Sequence, residues 1–211
     1  MNCRRERETL GCLFIDDLSR RHGRLRPPVI PGVEVRVFCC TDPRDLWDRL
    51  QTDLQVVRAE RGGCAVVASG TGCAAALALA CQLPVDKLAL IDPVAPDRPS
   101  LRRIPAEPPD AAALRRVLRR LAAFARRNLP LCVCDLLIVE HGPGPGGGGM
   151  RRAYGAPVNC RTQTLLLPEH SGRELYTIRE FEVKEAISRF LHPTEATKPL
   201  AENSEMCIIY G

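Results

Sequence analysis

Residues 63–82 read GCAVVASGTGCAAALALACQ, three kinds of sequence in immediate succession. Cys64 to Ala68 is a short, valine-rich apolar run, the mark of a buried strand. Ser69-Gly70-Thr71-Gly72 is a turn of small residues. From Cys73 onward the chain is apolar on every side, which predicts a helix with no face left for water. A strand that bends sharply into a buried helix lifts the residues of the bend above the carboxyl edge of a sheet. That bend is where chemistry or binding is expected.

Working outward, the neighbouring segments alternate between strand and helix patterns. On the N-terminal side, Val33, Val35 and Val37 alternate with polar residues as in a half-exposed strand. Asp42-Pro43 then reads as a helix start, and Leu46, Trp47, Leu50, Leu54 and Val57 fall on one helical face. Trp47 reads as a core anchor. On the C-terminal side, Lys87–Ile91 (KLALI) is a third strand, closed by Asp92-Pro93. Asp110 is a good N-cap for a helix that places Leu114, Val117, Leu118, Leu121 and Phe124 on one face. The opposite face carries Arg115, Arg116, Arg119, Arg120, Arg126 and Arg127. Leu131–Val139 (LCVCDLLIV) reads as another strand, Thr164–Leu167 as a last short one, and Val183, Ile187, Phe190 and Leu191 mark a terminal helix. Such alternation predicts an α/β fold with a mostly parallel central sheet and helices on both faces.

Domain organisation follows from where this pattern begins and ends. Residues 1–32 are weakly patterned; Leu10–Ile15 (LGCLFI) reads as an edge strand among arginines and the Pro27-Pro28 pair. Residues 33–192 form the α/β domain, and residues 193–211 read as a polar, loose C-terminal tail. The glycine run from Gly142 to Gly149 reads as a mobile surface loop. It lacks the Lys-Ser/Thr of a phosphate-binding loop, and no helix is expected after it.

Composition narrows the function classes. The 211-residue chain has 30 basic and 25 acidic residues, a net charge of +5. Only three of the basic residues are lysines (Lys87, Lys184, Lys198), so the positive charge is an arginine bias rather than a nucleic-acid signature. The arginine face of the Asp110 helix has no interleaved aromatics, so nucleic-acid or phosphate binding is a third-rank reading. No apolar run approaches the roughly 20 residues of a membrane helix. The charged N-terminus lacks the apolar core of a secretory signal, giving the expectation of a cytoplasmic protein. The 11 cysteines include no C-x-x-C pair. Cys132-x-Cys134 falls within an expected strand, so neither a metal site nor a cofactor is predicted.

The strand-turn-helix VVASGTGCAAALALA resembles the nucleophile elbow of the α/β-hydrolase superfamily, in which small-x-nucleophile-x-small sits between a strand and a helix. The resemblance covers about Val33 to Leu191. LALIDP is similar to the family's next strand, LCVCDLLIVEHG to the strand whose following loop carries the triad acid, and LLLPEHSG to the segment bearing the catalytic histidine. It implies His170 as that histidine. On this pattern Ala68 and Gly72 take the small positions and Gly70 the nucleophile position, so the chain departs from the family at the apex. The loop after Val139 offers Pro143, Gly144 and Pro145 where the acid belongs, and no His-Gly or Gly-Gly oxyanion motif precedes the first helix.

Two readings of function follow. In the favoured one the protein is a non-catalytic hydrolase-like chain that binds a small ligand or a partner. Gly70, Thr71 and Gly72 then present backbone N–H groups at a helix N-terminus to a small acidic or acyl-type ligand. In the alternative it is an active ester or thioester hydrolase using Ser69 with His170 and with Asp92 as a substitute acid. Glu140 and His141 are expected on the same rim, and Cys73 is expected in the core.

Overall fold

A computed structural model describes residues 10–18, 27, 29–39, 42–61, 63–93, 110–141, 149–167, 179–192 and 207–210. Its strands are β1 (Leu10–Ile15), β2 (Val33–Val37), β3 (Cys64–Ser69), β4 (Lys87–Ile91), β5 (Asp135–His141), β6 (Arg161–Leu167) and β7 (Cys207–Tyr210). Its α-helices are α1 (Leu46–Arg61), α2 (Gly72–Gln82), α3 (Asp110–Asn128), α4 (Gly149–Ala153) and α5 (Glu180–Leu191). The sheet order is β2-β1-β3-β4-β5-β6-β7. The first six strands are parallel, and β7 pairs antiparallel with β6.

Alternation along each strand divides the core into two layers. Leu13, Ile15, Val66, Ala68, Leu88, Leu90, Leu136 and Ile138 face α1, α2 and α3. Cys12, Phe14, Ala65, Val67, Ala89, Ile91, Leu137 and Val139 face Val183, Ile187 and Phe190 of α5. Both faces of the sheet are therefore covered, which explains why β1, β3 and β4 read as continuous apolar runs. α2 is buried from Gly72 to Ala80, as its lack of a polar face requires. Trp47 packs against the first layer. At the amino end of β4, Lys87 reaches under α5 and donates from Nζ to the carbonyls of Phe190 and Leu191, each at 2.9 Å. Burial lowers its pKa, and the two carbonyls at the helix C-terminus satisfy the ammonium.

Several sequence expectations need correction. Leu10–Ile15 is an inner strand between β2 and β3, not an edge. The helix expected from Asp42-Pro43 starts at Leu46. Asp42 instead closes a preceding turn, accepting the Arg44 N–H at 2.8 Å. The strand expected at Leu131–Val139 begins four residues later, because Pro130 sits in a 3-10 turn, Leu129–Leu131, that consumes the start of the apolar run. Phe124 is 36% exposed rather than inside. A short helix, α4, does follow the glycine run; residues 142–148 of that run lie outside the described residues. In the tail, residues 207–210 are not loose but extend the sheet as β7.

Candidate functional site

Chain order and sheet order diverge at β1. β2 lies on one side of β1, and the chain then crosses to place β3 on the other. Ligands of open parallel sheets occupy the crevice at the carboxyl ends of the strands flanking such a reversal. Two segments meet there: Asp16-Asp17, just past β1, and the bend Ser69–Gly72, at the end of β3.

The bend is a true elbow. Gly70 has φ +52° and donates its N–H to the Ile91 carbonyl at 2.9 Å. The next N–H groups of the tight turn run from Cys73 to the Gly70 carbonyl (3.2 Å) and from Ala74 to the Thr71 carbonyl (3.3 Å), leading straight into α2. A positive φ carries a penalty of about 1–2 kcal/mol for a residue with a Cβ, which glycine avoids. Gly72 permits the helix to begin so close to β1: a Cβ there would lie 2.6 Å from the Asp16 carbonyl oxygen and 2.9 Å from that of Ile15.

Asp16 and Asp17 hold the elbow from the other side. Asp16 Oδ1 accepts the Ser69 hydroxyl at 3.0 Å and the Asp17 N–H at 2.7 Å. Asp17 Oδ1 accepts the Thr71 hydroxyl at 2.5 Å. A Cβ on Gly70 would stand 2.8 Å from both Cγ and Oδ2 of Asp17. The space that the sequence leaves for an external anion over Gly70 is thus held by the chain's own carboxylate. The position suits it, since the N-terminus of a buried helix attracts negative charge.

The other predicted residues divide sharply. Ser69 ends β3 with only 4% of its surface exposed, its hydroxyl directed to Asp16. Asp92 follows β4 opposite Gly70, has φ +48°, and donates its N–H to the Val139 carbonyl at 2.8 Å. A left-handed aspartate at a strand end is uncommon and marks a position fixed by its surroundings. His170 lies outside the described residues, as does the side chain of His141. Glu140 Oε2 accepts the Met150 N–H at 3.3 Å, so it is engaged at the start of α4. Cys73 is fully buried and hydrogen-bonded to the Ala68 and Ile91 carbonyls; burial pushes its thiol far above the usual range, which suits packing and not attack. On α3, Arg126 is occupied with the Ala153 carbonyl, so one member of the basic face is structural.

The residues missed from sequence are Asp16 and Asp17. Their signal is present, an unbroken apolar run LGCLFI ending in two carboxylates. It takes the inner position of β1 to bring them to the elbow.

No protein-family model and no curated relative matches the sequence. Solved structures do. A metagenome-derived lipolytic enzyme aligns with a TM-score of 0.62 at 12% identity, over 87% of this chain and 94% of that one. An enol-lactonase from Burkholderia xenovorans LB400 aligns at 0.55 and 11% identity, over 89% and 93%. A haloalkane dehalogenase variant from Bradyrhizobium elkanii gives 0.51 and 14%, over 88% of each chain. The protein has an α/β-hydrolase-like fold. At these identities the likeness establishes architecture and nothing about activity. Among the described residues no helix is long and apolar enough to cross a membrane.

Proposed function

We propose that the protein is a non-catalytic chain on a hydrolase-like fold, acting by binding rather than by turnover. One observation carries this reading: a Cβ at Gly70 would stand 2.8 Å from Cγ and Oδ2 of Asp17, so a nucleophile-bearing side chain fits the apex only if Asp17 moves aside. Hydrolysis at an elbow also needs N–H donors where oxyanion charge develops. Here the segment after the neighbouring strand offers the carboxylates of Asp16 and Asp17, the wrong sign for that task. The negative charge of these two carboxylates complements a cationic ligand better than the acidic one suggested by the sequence.

The alternative, an ester or thioester hydrolase through Ser69, draws on the 3.0 Å contact between its hydroxyl and Asp16. That distance is within reach for proton transfer. The burial of Ser69 weighs against it, because an acyl group must reach the hydroxyl. The test is hydrolysis of short-chain p-nitrophenyl esters and thioesters by the native chain and by Ser69→Ala. The binding reading predicts equal rates, both at the buffer background. Turnover above background that Ser69→Ala abolishes would select the alternative.

A further inference from the structure

The end of the sheet opposite the elbow carries a cluster of cysteines. Cys132 and Cys134 precede β5, and Cys160 precedes β6. The sulfurs of Cys132, Cys134 and Cys160 all lie within 4.8 Å of one another. Those of Cys132 and Cys134 are 3.6 Å apart, and those of Cys134 and Cys160 are 4.0 Å apart. Three sulfurs from two separate parts of the chain thus converge.

We propose that Cys132, Cys134 and Cys160 form a zinc-binding site of three thiolates, with the fourth position of the ion taken by water. The spacing carries the argument. Sulfurs around a tetrahedral zinc at about 2.3 Å stand about 3.8 Å apart, and the two closest pairs straddle that length. Each iron of a bridged iron–sulfur cluster takes one or two cysteines, so three sulfurs mutually this close suit a single ion. The chain also prepares the site. Cys132 and Cys134, two residues apart in an extended stretch, turn the same way. The 3-10 turn is tied down by the Cys132 N–H on the Leu129 carbonyl at 3.0 Å, and by the Asn159 side-chain amide on the Pro130 carbonyl. The second of these links fastens the segment of Cys160 to that of Cys132. Cys132 and Cys134 are buried, whereas Cys160 is partly open and gives the ion a way in.

Zinc would displace the protons of the coordinating thiols to solvent with no change of oxidation state. Burial pushes the core thiols Cys12 and Cys64, which lie outside the cluster, up to about 12. Sequence spacing concealed the cluster, because C-x-C and one distant cysteine match no zinc-ligand pattern.

Cobalt(II) reports the site directly. The reduced, chelator-washed chain should take up one equivalent of cobalt. It should show thiolate-to-cobalt charge transfer with tetrahedral d–d bands, both abolished by one equivalent of zinc. Cys134→Ser and Cys160→Ser should each weaken zinc binding by about 100-fold or more. Cys39→Ser, outside the cluster, should change nothing. If a serine variant fails to fold, the cobalt spectrum of the native chain decides alone, since its charge-transfer intensity counts the thiolates. A reduced chain that gives no charge-transfer band overturns the proposal. So do cobalt bands that survive in folded Cys134→Ser and Cys160→Ser.

Discussion

Gly72→Ala is expected to lower the stability of the fold by about 3 kcal/mol, the upper part of the range for overpacking. The added Cβ would meet the backbone carbonyl oxygens of Asp16 at 2.6 Å and Ile15 at 2.9 Å, and the Ile15 methyl at 3.1 Å. These atoms cannot step aside. β1 is pinned between β2 and β3, and Ile15 is fully buried. Nor can α2 back away, because it is enclosed along its whole length from Gly72 to Ala80. Urea unfolding measures the effect as a lower midpoint at an unchanged slope. A loss below about 1 kcal/mol would mean that α2 does not sit on the end of β1 as described.

Gly70→Ser should cost about 2–3 kcal/mol, from two separable causes. The φ of +52° penalises any side chain, and Asp17 lies 2.8 Å from the new Cβ. Only the second cause disappears when Asp17 is shortened. A double-mutant cycle with Asp17→Ala should therefore give a favourable coupling of at least about 0.5 kcal/mol, with Gly70→Ser cheaper in the Asp17→Ala background. Strict additivity would show that Asp17 is not seated against the elbow. The single variant Asp17→Ala should itself lose about 1 kcal/mol, through its hydrogen bond to the Thr71 hydroxyl.

The centre of the fold was legible because both faces of the sheet are covered. β3, α2 and β4 are apolar throughout, and such runs announce themselves without any periodicity. β1 is equally apolar, yet its six residues sit beside arginines and prolines, which suggested an edge; only pairing with both β2 and β3 reveals an inner strand. β7 was hidden for the opposite reason. CIIY is four residues at the end of a polar segment, and its place depends on a long-range antiparallel pairing with β6 that no local pattern encodes. The start of β5 was misplaced because Leu131–Cys134 continues its apolar character while Pro130 imposes a turn. The bend through Ser69, Gly70, Thr71 and Gly72 was legible because a strand turning into a helix is a local shape. Asp16 and Asp17 reach it from more than fifty positions away, and Cys160 meets Cys132 and Cys134 only when β5 and β6 are brought together. Contacts of that range come from topology.

The central claim is that the elbow has no working nucleophile. Fluorophosphonate labelling measures this most directly, because the reagent reports an activated hydroxyl whatever the natural substrate is. Incubating the folded chain with the probe and reading the adduct by intact-mass and peptide spectrometry should give no modification at Ser69. The Ser69→Ala variant should be indistinguishable from the native chain. Stoichiometric modification of Ser69, lost in Ser69→Ala, would contradict the account and make the protein a serine hydrolase.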